Sequence, residues 1–207
     1  MSRYNVNMTK QCPYHHGNLR SALIEAGAAL LDEVGWSGLT LRACAARAGV
    51  SHAAPAHHFG SLIGLRTALA AEAFRRFHKI TAEYTEQAGE SRSARLRAAA
   101  CGYIAFARAN PGLFQLMFGP AELDQQDYNF NEARSAAYEQ LGDNVAGYLG
   151  LDDNSETDSQ LRLAVWSSIH GYTQLLLSGH LNKPDMVVSE EMFLDDVMAI
   201  AERYAER

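Results

Sequence analysis

The residues between Thr40 and Phe59 constrain the fold most tightly: two short helix-forming stretches are separated by no more than Gly49-Val50. Thr40 offers an N-cap to the first, LRACAARA, and Gly49, one residue past Ala48, offers a left-handed stop. Ser51 offers a second cap, opening HAAPAHHF. A two-residue connection leaves the pair one fixed crossing, which is the spacing of a helix-turn-helix. Pro55 is the fourth residue after Ser51. It forfeits the first intrahelical bond and crowds the Ser51 carbonyl, so the second helix is predicted to be short and locally tight.

The rest of the chain repeats its apolar residues at helical spacing. Leu19, Leu23, Leu30, Leu31 and Val34 define a helix over 19–34 with Gly35 as its C-cap. A long helix opens at Ser61, carries Leu65, Leu69, Phe77, Ile80 and Tyr84 near one face, and breaks at Gly89-Glu90-Ser91. Further helices fall at about 93–109, 112–118, 128–149, 158–178 and 189–205, punctuated by Asn110-Pro111-Gly112, Gly119-Pro120 and Gly150. Residues 152–155 read as a loop, and no strand pattern or internal repeat appears. The fold class is therefore all-α, with about nine helices. A three-helix head over 17–77 joins a larger antiparallel helical body over 78–207. The 158–178 segment is apolar on two stripes: Leu161, Val165, Ile169, Tyr172 and Leu176 on one, Trp166, His170, Thr173 and Leu177 on the other. Such a helix is expected to serve an internal core and an additional partner.

Charge separates the two parts. The chain carries a net charge of −6, but residues 1–80 hold nine Lys/Arg against four Asp/Glu, with six of the eight histidines, while residues 81–207 hold nine against twenty. A basic head on an acidic body presents only the head to a polyanion. No apolar run approaches the roughly 18 residues that span a bilayer, and the polar N-terminus lacks the apolar stretch of a secretory signal. The three cysteines are widely spaced and form no C-x-x-C pair, so neither a disulfide framework nor a zinc knuckle is expected, and a reducing cytoplasm fits best. Cys44, in mid-helix, reads as a small core residue rather than a redox sensor. No nucleophile–histidine set, glycine-rich phosphate loop or metal-ligand spacing is present, so neither an enzyme nor a cofactor is expected. The adjacent His57 and His58 point about 100° apart on a helix and make a poor metal pair.

The segment TLRACAARAGVSHAAPAHHF, residues 40–59, preceded by the amphipathic helix with Gly35-Trp36 and followed by Leu65, resembles the DNA-binding head of the tetracycline-repressor (TetR) family of transcriptional regulators. Further on, Tyr103–Ala107, Pro111, Met117-Phe118-Gly119 and Trp166 through His170-Gly171 resemble the regulatory domains of one subgroup of that family. The resemblance implies a homodimer on double-stranded DNA with a roughly palindromic operator. It implies a repressor released by a small-molecule inducer of unknown identity bound in the body. The long helix after Ser61 would carry the change from body to head. Two positions depart from the family pattern: Ala56 stands where members carry a tyrosine, and Leu62 where they carry a lysine, both phosphate contacts in the family. The alternative is a related small-molecule binder whose head has lost its grip on DNA.

Within that frame the second helix of the motif enters the major groove, and its candidate contacts are Ser51, His52, Ala53, Ala54, His57 and His58. An alanine methyl can meet a thymine methyl, and histidine can contact DNA more strongly when protonated. Arg42 sits in the first turn of its helix, where the macrodipole disfavours a cation; an external phosphate removes that conflict. The amide ends at Thr40 and Ser51 add phosphate-facing N–H groups. In the body, Phe77, Tyr103, Phe106, Phe114, Met117, Trp166, His170 and Gln174 are the candidate ligand contacts, an apolar set with a few polar tips. The last two helices are expected to pair with their copies in a four-helix bundle. Replacing Arg42 with alanine is expected to weaken binding to every DNA sequence and to flatten the salt dependence by about one unit of slope, read from titrations at several ionic strengths.

Overall fold

Helix α1 (His16–Gly38) enters the head of a computed structural model that describes residues 16–150, 156–181 and 188–205. Leu23, Leu30 and Leu31 bury one face of α1. Gly35, expected as the C-cap, ends the regular helix at φ 67, ψ 175, and a separate helical turn follows to Gly38. That turn is held from outside. Arg66 donates to the Trp36 carbonyl at 3.0 Å, and its guanidinium lies 5.5 Å from the indole centroid. Helix α2 (Leu41–Arg47) starts at Thr40, whose Oγ1 accepts from the Ala43 amide at 3.1 Å. Cys44 and Ala45 are fully buried, and the Cys44 thiol donates to the Leu23 carbonyl at 3.3 Å. Burial pushes that thiol up, away from the reactive thiolate.

The turn between α2 and α3 closes on Gly49, at φ 67, with the Val50 amide reaching the Ala45 carbonyl at 3.1 Å. Only a residue without Cβ takes that conformation without strain. Helix α3 (Ala54–Phe59) begins three residues later than Ser51. No side-chain cap forms at its start; the Ser51 carbonyl accepts from the Ala54 amide at 3.0 Å in a tight turn. Pro55 explains the delay. It has no N–H to give the Ser51 carbonyl, so the backbone closes a shorter loop first and the buried ring then sets the first helical turn. Gly60, at φ 73, ends α3.

Ser61 caps α4 (Leu62–Gln87), its Oγ accepting from Gly64 at 3.1 Å. With 26 residues, α4 is roughly 39 Å long at about 1.5 Å per residue, and it passes without a break from head to body across positions 77 and 78. Its buried residues change company on the way, from Leu65 and Leu69 in the head to Phe74, Phe77 and Thr81 in the body. Helix α5 (Arg92–Ala109) lies so close to it that a Cβ on Gly102 would stand 3.0 Å from the Thr81 Cα. Helices α6 (Pro111–Phe118) and α7 (Tyr128–Leu149) pack on the same core. Helices α8 (Glu156–Leu177) and α9 (Glu190–Ala205) form the outer pair, with Tyr172 and Phe193 stacked at 4.0 Å. Arg97 reaches Asp195 at 2.5 Å and Arg108 reaches Glu190 at 2.6 Å, tying α9 to α5. The described residues contain no strand, and none of their helices is long and apolar enough to cross a membrane.

The second stripe on α8 faces inward rather than toward a partner. Thr173 is fully buried, Trp166, His170 and Leu177 are half-buried, and the first stripe is buried from Leu161 to Tyr172. The outward face is instead Leu163, Ser167, Gly171 and Leu175, with Leu163 61% and Leu175 46% exposed. An added Cβ on Gly171 would meet nothing within 4 Å. The helix turns its aromatic stripe inward because that stripe fills the space between α5, α6 and α7.

Head and body meet where α6 begins. A Cβ on Gly112 would stand 2.5 Å from the Leu31 carbonyl carbon, and the Gly112 amide donates to Asp32 Oδ1 at 2.8 Å. An acidic group at the start of α6 also answers the positive end of its dipole. Replacing Gly112 with alanine forces α1 and α6 apart and is expected to destabilise the protein by about 1–3 kcal/mol in denaturant unfolding. An unchanged midpoint would mean that the two helices separate freely.

Candidate functional site

The head presents a surface built from the turn and the two short helices. Ser51, His52, Ala53, Ala56 and His57 are exposed, and Ala54 is half-buried. His57 and His58 make an edge-on contact at 5.5 Å, and His58 in turn leans on Phe59 at 6.3 Å. His58 is thereby half-buried. The Arg20 guanidinium lies 5.2 Å from the Phe59 ring centroid, which fixes α3 against α1. Thr40 is exposed, with its hydroxyl already engaged as the α2 cap. Arg42 is exposed, and among the described residues no carboxylate lies within ion-pair distance of it. Arg47, by contrast, pairs with Glu33 at 2.6 Å. Leu62, where a lysine would be a phosphate contact, packs against the hydrophobic core.

The body contains a narrow void of about 40 Å³ between α4, α5, α7 and α8. Phe77, Tyr103 and Trp166 line it, as the sequence leads one to expect of aromatic residues on those faces. Phe106 and Phe114 are fully buried beside it, Met117 is 8% exposed, and none of the three is on its wall. His170 and Gln174 stand behind Tyr103. The Tyr103 hydroxyl meets His170 Nδ1 at 2.8 Å, and Gln174 Nε2 lies 3.4 Å from His170 Nε2. His170 is boxed by Phe114, Phe118 and Trp166, with ring centroids at 5.6, 4.8 and 6.2 Å. Burial pushes the His170 imidazolium below the ordinary histidine range and the Tyr103 phenol above its own, so both are neutral at pH 7.

Several wall residues carry no advance signal in the sequence. Thr81, Tyr138, Gln140 and Asn144 face the void from α4 and α7. A threonine or glutamine within an amphipathic helix looks the same whether it meets solvent or a cavity, and only the packing of α7 onto α4 separates the two. A groove of about 260 Å³ runs along the surface outside, lined by Tyr138, Leu141 and Trp166 in common with the void and by Ser159, Arg162 and Leu163. Tyr138 and Trp166, edge to face at 5.6 Å, form the wall between them.

Comparison with known proteins places both parts. Residues 23–69 match the family described as bacterial regulatory proteins, tetR family, and residues 96–199 match the tetracyclin repressor-like C-terminal domain. The chain is 27% identical over 182 residues to an uncharacterized HTH-type transcriptional regulator of Mycobacterium tuberculosis, spanning 88% of this chain and 79% of that one. It is 31% identical to a solved protein with unknown function from Rhodococcus sp. RHA1, covering 95% and 98% of the two chains with a TM-score of 0.74. A TetR-family transcriptional regulator from Streptomyces coelicolor shares the fold at 24% identity and a TM-score of 0.62, covering 91% and 98%.

The buried histidine gives this site a pH signature. Its folded-state value lies below the unfolded one of about 6.5, so the unfolded chain binds more protons in that interval. His170 therefore supports the fold fully above about pH 6.5, and that support is lost as pH falls toward the lowered value. Replacing His170 with glutamine is expected to reduce the loss of stability between about pH 7.5 and pH 5.5, measured as denaturant midpoints at both pH values.

Proposed function

This chain belongs to the TetR family of bacterial transcriptional regulators, with a helix-turn-helix head and a family regulatory body, and from that premise we propose that it is a repressor released from its operator by a small molecule bound in the body. The observation that carries the reading is a continuous packed path. The void touches Tyr103 and Trp166, these close on His170, and His170 lies against Phe114 and Phe118 of α6. The other end of α6 is fixed to α1 by the Asp32–Gly112 contact. A ligand that wedges the aromatic box apart moves α6, and α6 cannot move without α1. It shifts the balance only if it binds the DNA-releasing arrangement more tightly than the DNA-bound one.

On DNA, the exposed edge of Ser51, His52, Ala53 and His57 faces the bases, with Ala54 beside it, while Thr40 and the unpaired Arg42 face phosphate. His58 serves mainly to seat α3. With Leu62 committed to the core and no hydroxyl at Ala56, the clamp relies on Arg42 and backbone amides. The protein acts where the chromosome is, in the cytoplasm. The outward stripe of Leu163, Ser167, Gly171 and Leu175 on α8, with Met192 exposed on α9, supports pairing with a second copy through a four-helix bundle. A two-fold pair sets the reading helices about one duplex turn apart and calls for a roughly palindromic operator.

The test is a titration of the purified protein against the intergenic DNA upstream of its own gene and a scrambled duplex, at two salt concentrations. Tight binding to the intergenic piece alone is expected, with Leu175→Glu giving a monomer by ultracentrifugation and losing that binding. Weak, equal binding to both duplexes would favour a small-molecule binder without an operator, the reading that Ala56 and Leu62 support.

A further inference from the structure

The void is lined mostly by apolar side chains. Among its sixteen lining residues there is no Asp, Glu, Lys, Arg or His. A charged guest would leave water and find no counter-charge on the wall. Yet two buried polar atoms on that wall have no hydrogen-bond partner, Thr81 Oγ1 and Gln140 Oε1.

Both orphans are specified by their surroundings. Other helical hydroxyls in this protein bond back to the preceding turn: Thr67 to Ile63 at 2.8 Å, Ser168 to Ala164 at 2.8 Å and Thr173 to Ile169 at 2.7 Å. Thr81, at 5% exposure, does not. Gln140 gives its amide nitrogen to the His78 carbonyl at 3.2 Å. A carbonyl can only accept, so the nitrogen must be the atom placed there, and the oxygen is left as a pure acceptor. His78 lies one turn before Thr81, so the amide is anchored to the same stretch of α4. A native fold leaves few such atoms unpaired, and an unpaired acceptor on a cavity wall points to a missing donor.

Shape and access complete the picture. The walls are the rings of Phe74, Phe77, Tyr103 and Phe118 and small alanines from α5 and α7. At about 40 Å³ the void holds about three waters, each needing about 10–15 Å³. The outer groove adds about 260 Å³ behind the Tyr138–Trp166 wall. Displacing that wall brings the joined space to the lower end of the range of about 300–1,000 Å³ that small-molecule sites occupy.

Resting on the reading of the body as an inducer site, we propose that it selects an uncharged ring compound bearing a hydrogen-bond donor, of the class of a substituted phenol, whose hydroxyl donates to Gln140 Oε1 and accepts from the Thr81 hydroxyl. The ring takes the place of the Tyr138–Trp166 contact, and the hydroxyl supplies the partner that both wall atoms lack.

Calorimetric titration of the full-length protein with four probes of one shape tests this: 4-ethylphenol, ethylbenzene, 4-ethylbenzoate and phenethylammonium. The phenol is expected to bind about tenfold more tightly than ethylbenzene, the size of one satisfied hydrogen bond, and more tightly than either ion, although Arg162 stands in the outer groove. Thr81→Val and Gln140→Leu, each first shown to be folded by its thermal transition, are expected to reduce phenol affinity toward that of ethylbenzene and leave ethylbenzene unchanged. Either ion binding as tightly as the phenol overturns the choice of ligand class and leaves the inducer site standing. Equal binding of phenol and ethylbenzene, unaffected by the two variants, overturns it as well, since trapped water would then serve the two atoms. Failure of all four probes overturns both the ligand class and the inducer site.

Discussion

The Asp32 carboxylate on the Gly112 amide is the contact on which the rest of the molecule depends. It joins the end of the first head helix to the first turn of α6, at a point where the two backbones lie too close for any side chain between them. The ring cluster around His170 includes Phe114 and Phe118 of α6 itself, and in the head α2 packs on α1 while α3 packs on α2 and α4. Backbone-to-backbone packing of this closeness is either made or lost, because an intermediate separation would leave a gap too small for water and without partner atoms. A joint of that kind passes on a displacement instead of absorbing it.

The helices themselves were legible because their signals are local. Thr40, Ser61, Gly49 and Gly150 each act within four residues of where they stand, and each did what its type implies. The errors came where a distant residue intervened. Gly35 did break the helix, at φ 67, ψ 175, but the separate turn beyond it, to Gly38, was not legible, since Arg66, thirty positions from Trp36, donates to it. Ser51 did not cap α3, although the rule that defeated it, the missing amide of Pro55, was itself in view. The inward turn of the second stripe on α8 was legible only in part, Trp166 and His170 being expected both as ligand contacts and on a stripe that serves a partner. Trp166 and His170 are equally consistent with a partner's surface and with a cavity wall until α5 and α6 are placed beside them.

The candidate ligand site was half legible for the same reason. Aromatic residues announce themselves by size, so Phe77, Tyr103 and Trp166 were found, but size alone also drew in Phe106 and Phe114, which are fully buried in the core. The polar atoms proposed to select the guest, on Thr81 and Gln140, are chemically ordinary and owe their interest to being buried without a partner. His170 and Tyr103 occupy a middle position: they use one another as partners and stay neutral, so neither adds a charge beside the void. Selection in such a place works by what the wall lacks as much as by what it offers.

Helix α3 is attached at both ends by glycines in the left-handed region, Gly49 before its turn and Gly60 after it, and is anchored underneath by Pro55 and Phe59. None of these four residues is among the proposed base contacts. Fold and reading surface are therefore encoded by separate positions. Under the proposed reading, substitutions at the exposed His52, Ala53 or Ala56 change which bases are favoured at little cost to stability, whereas His57 also meets His58 edge-on. If those positions read the operator as proposed, descendants of this chain acquire new operators at them while inheriting an unaltered scaffold.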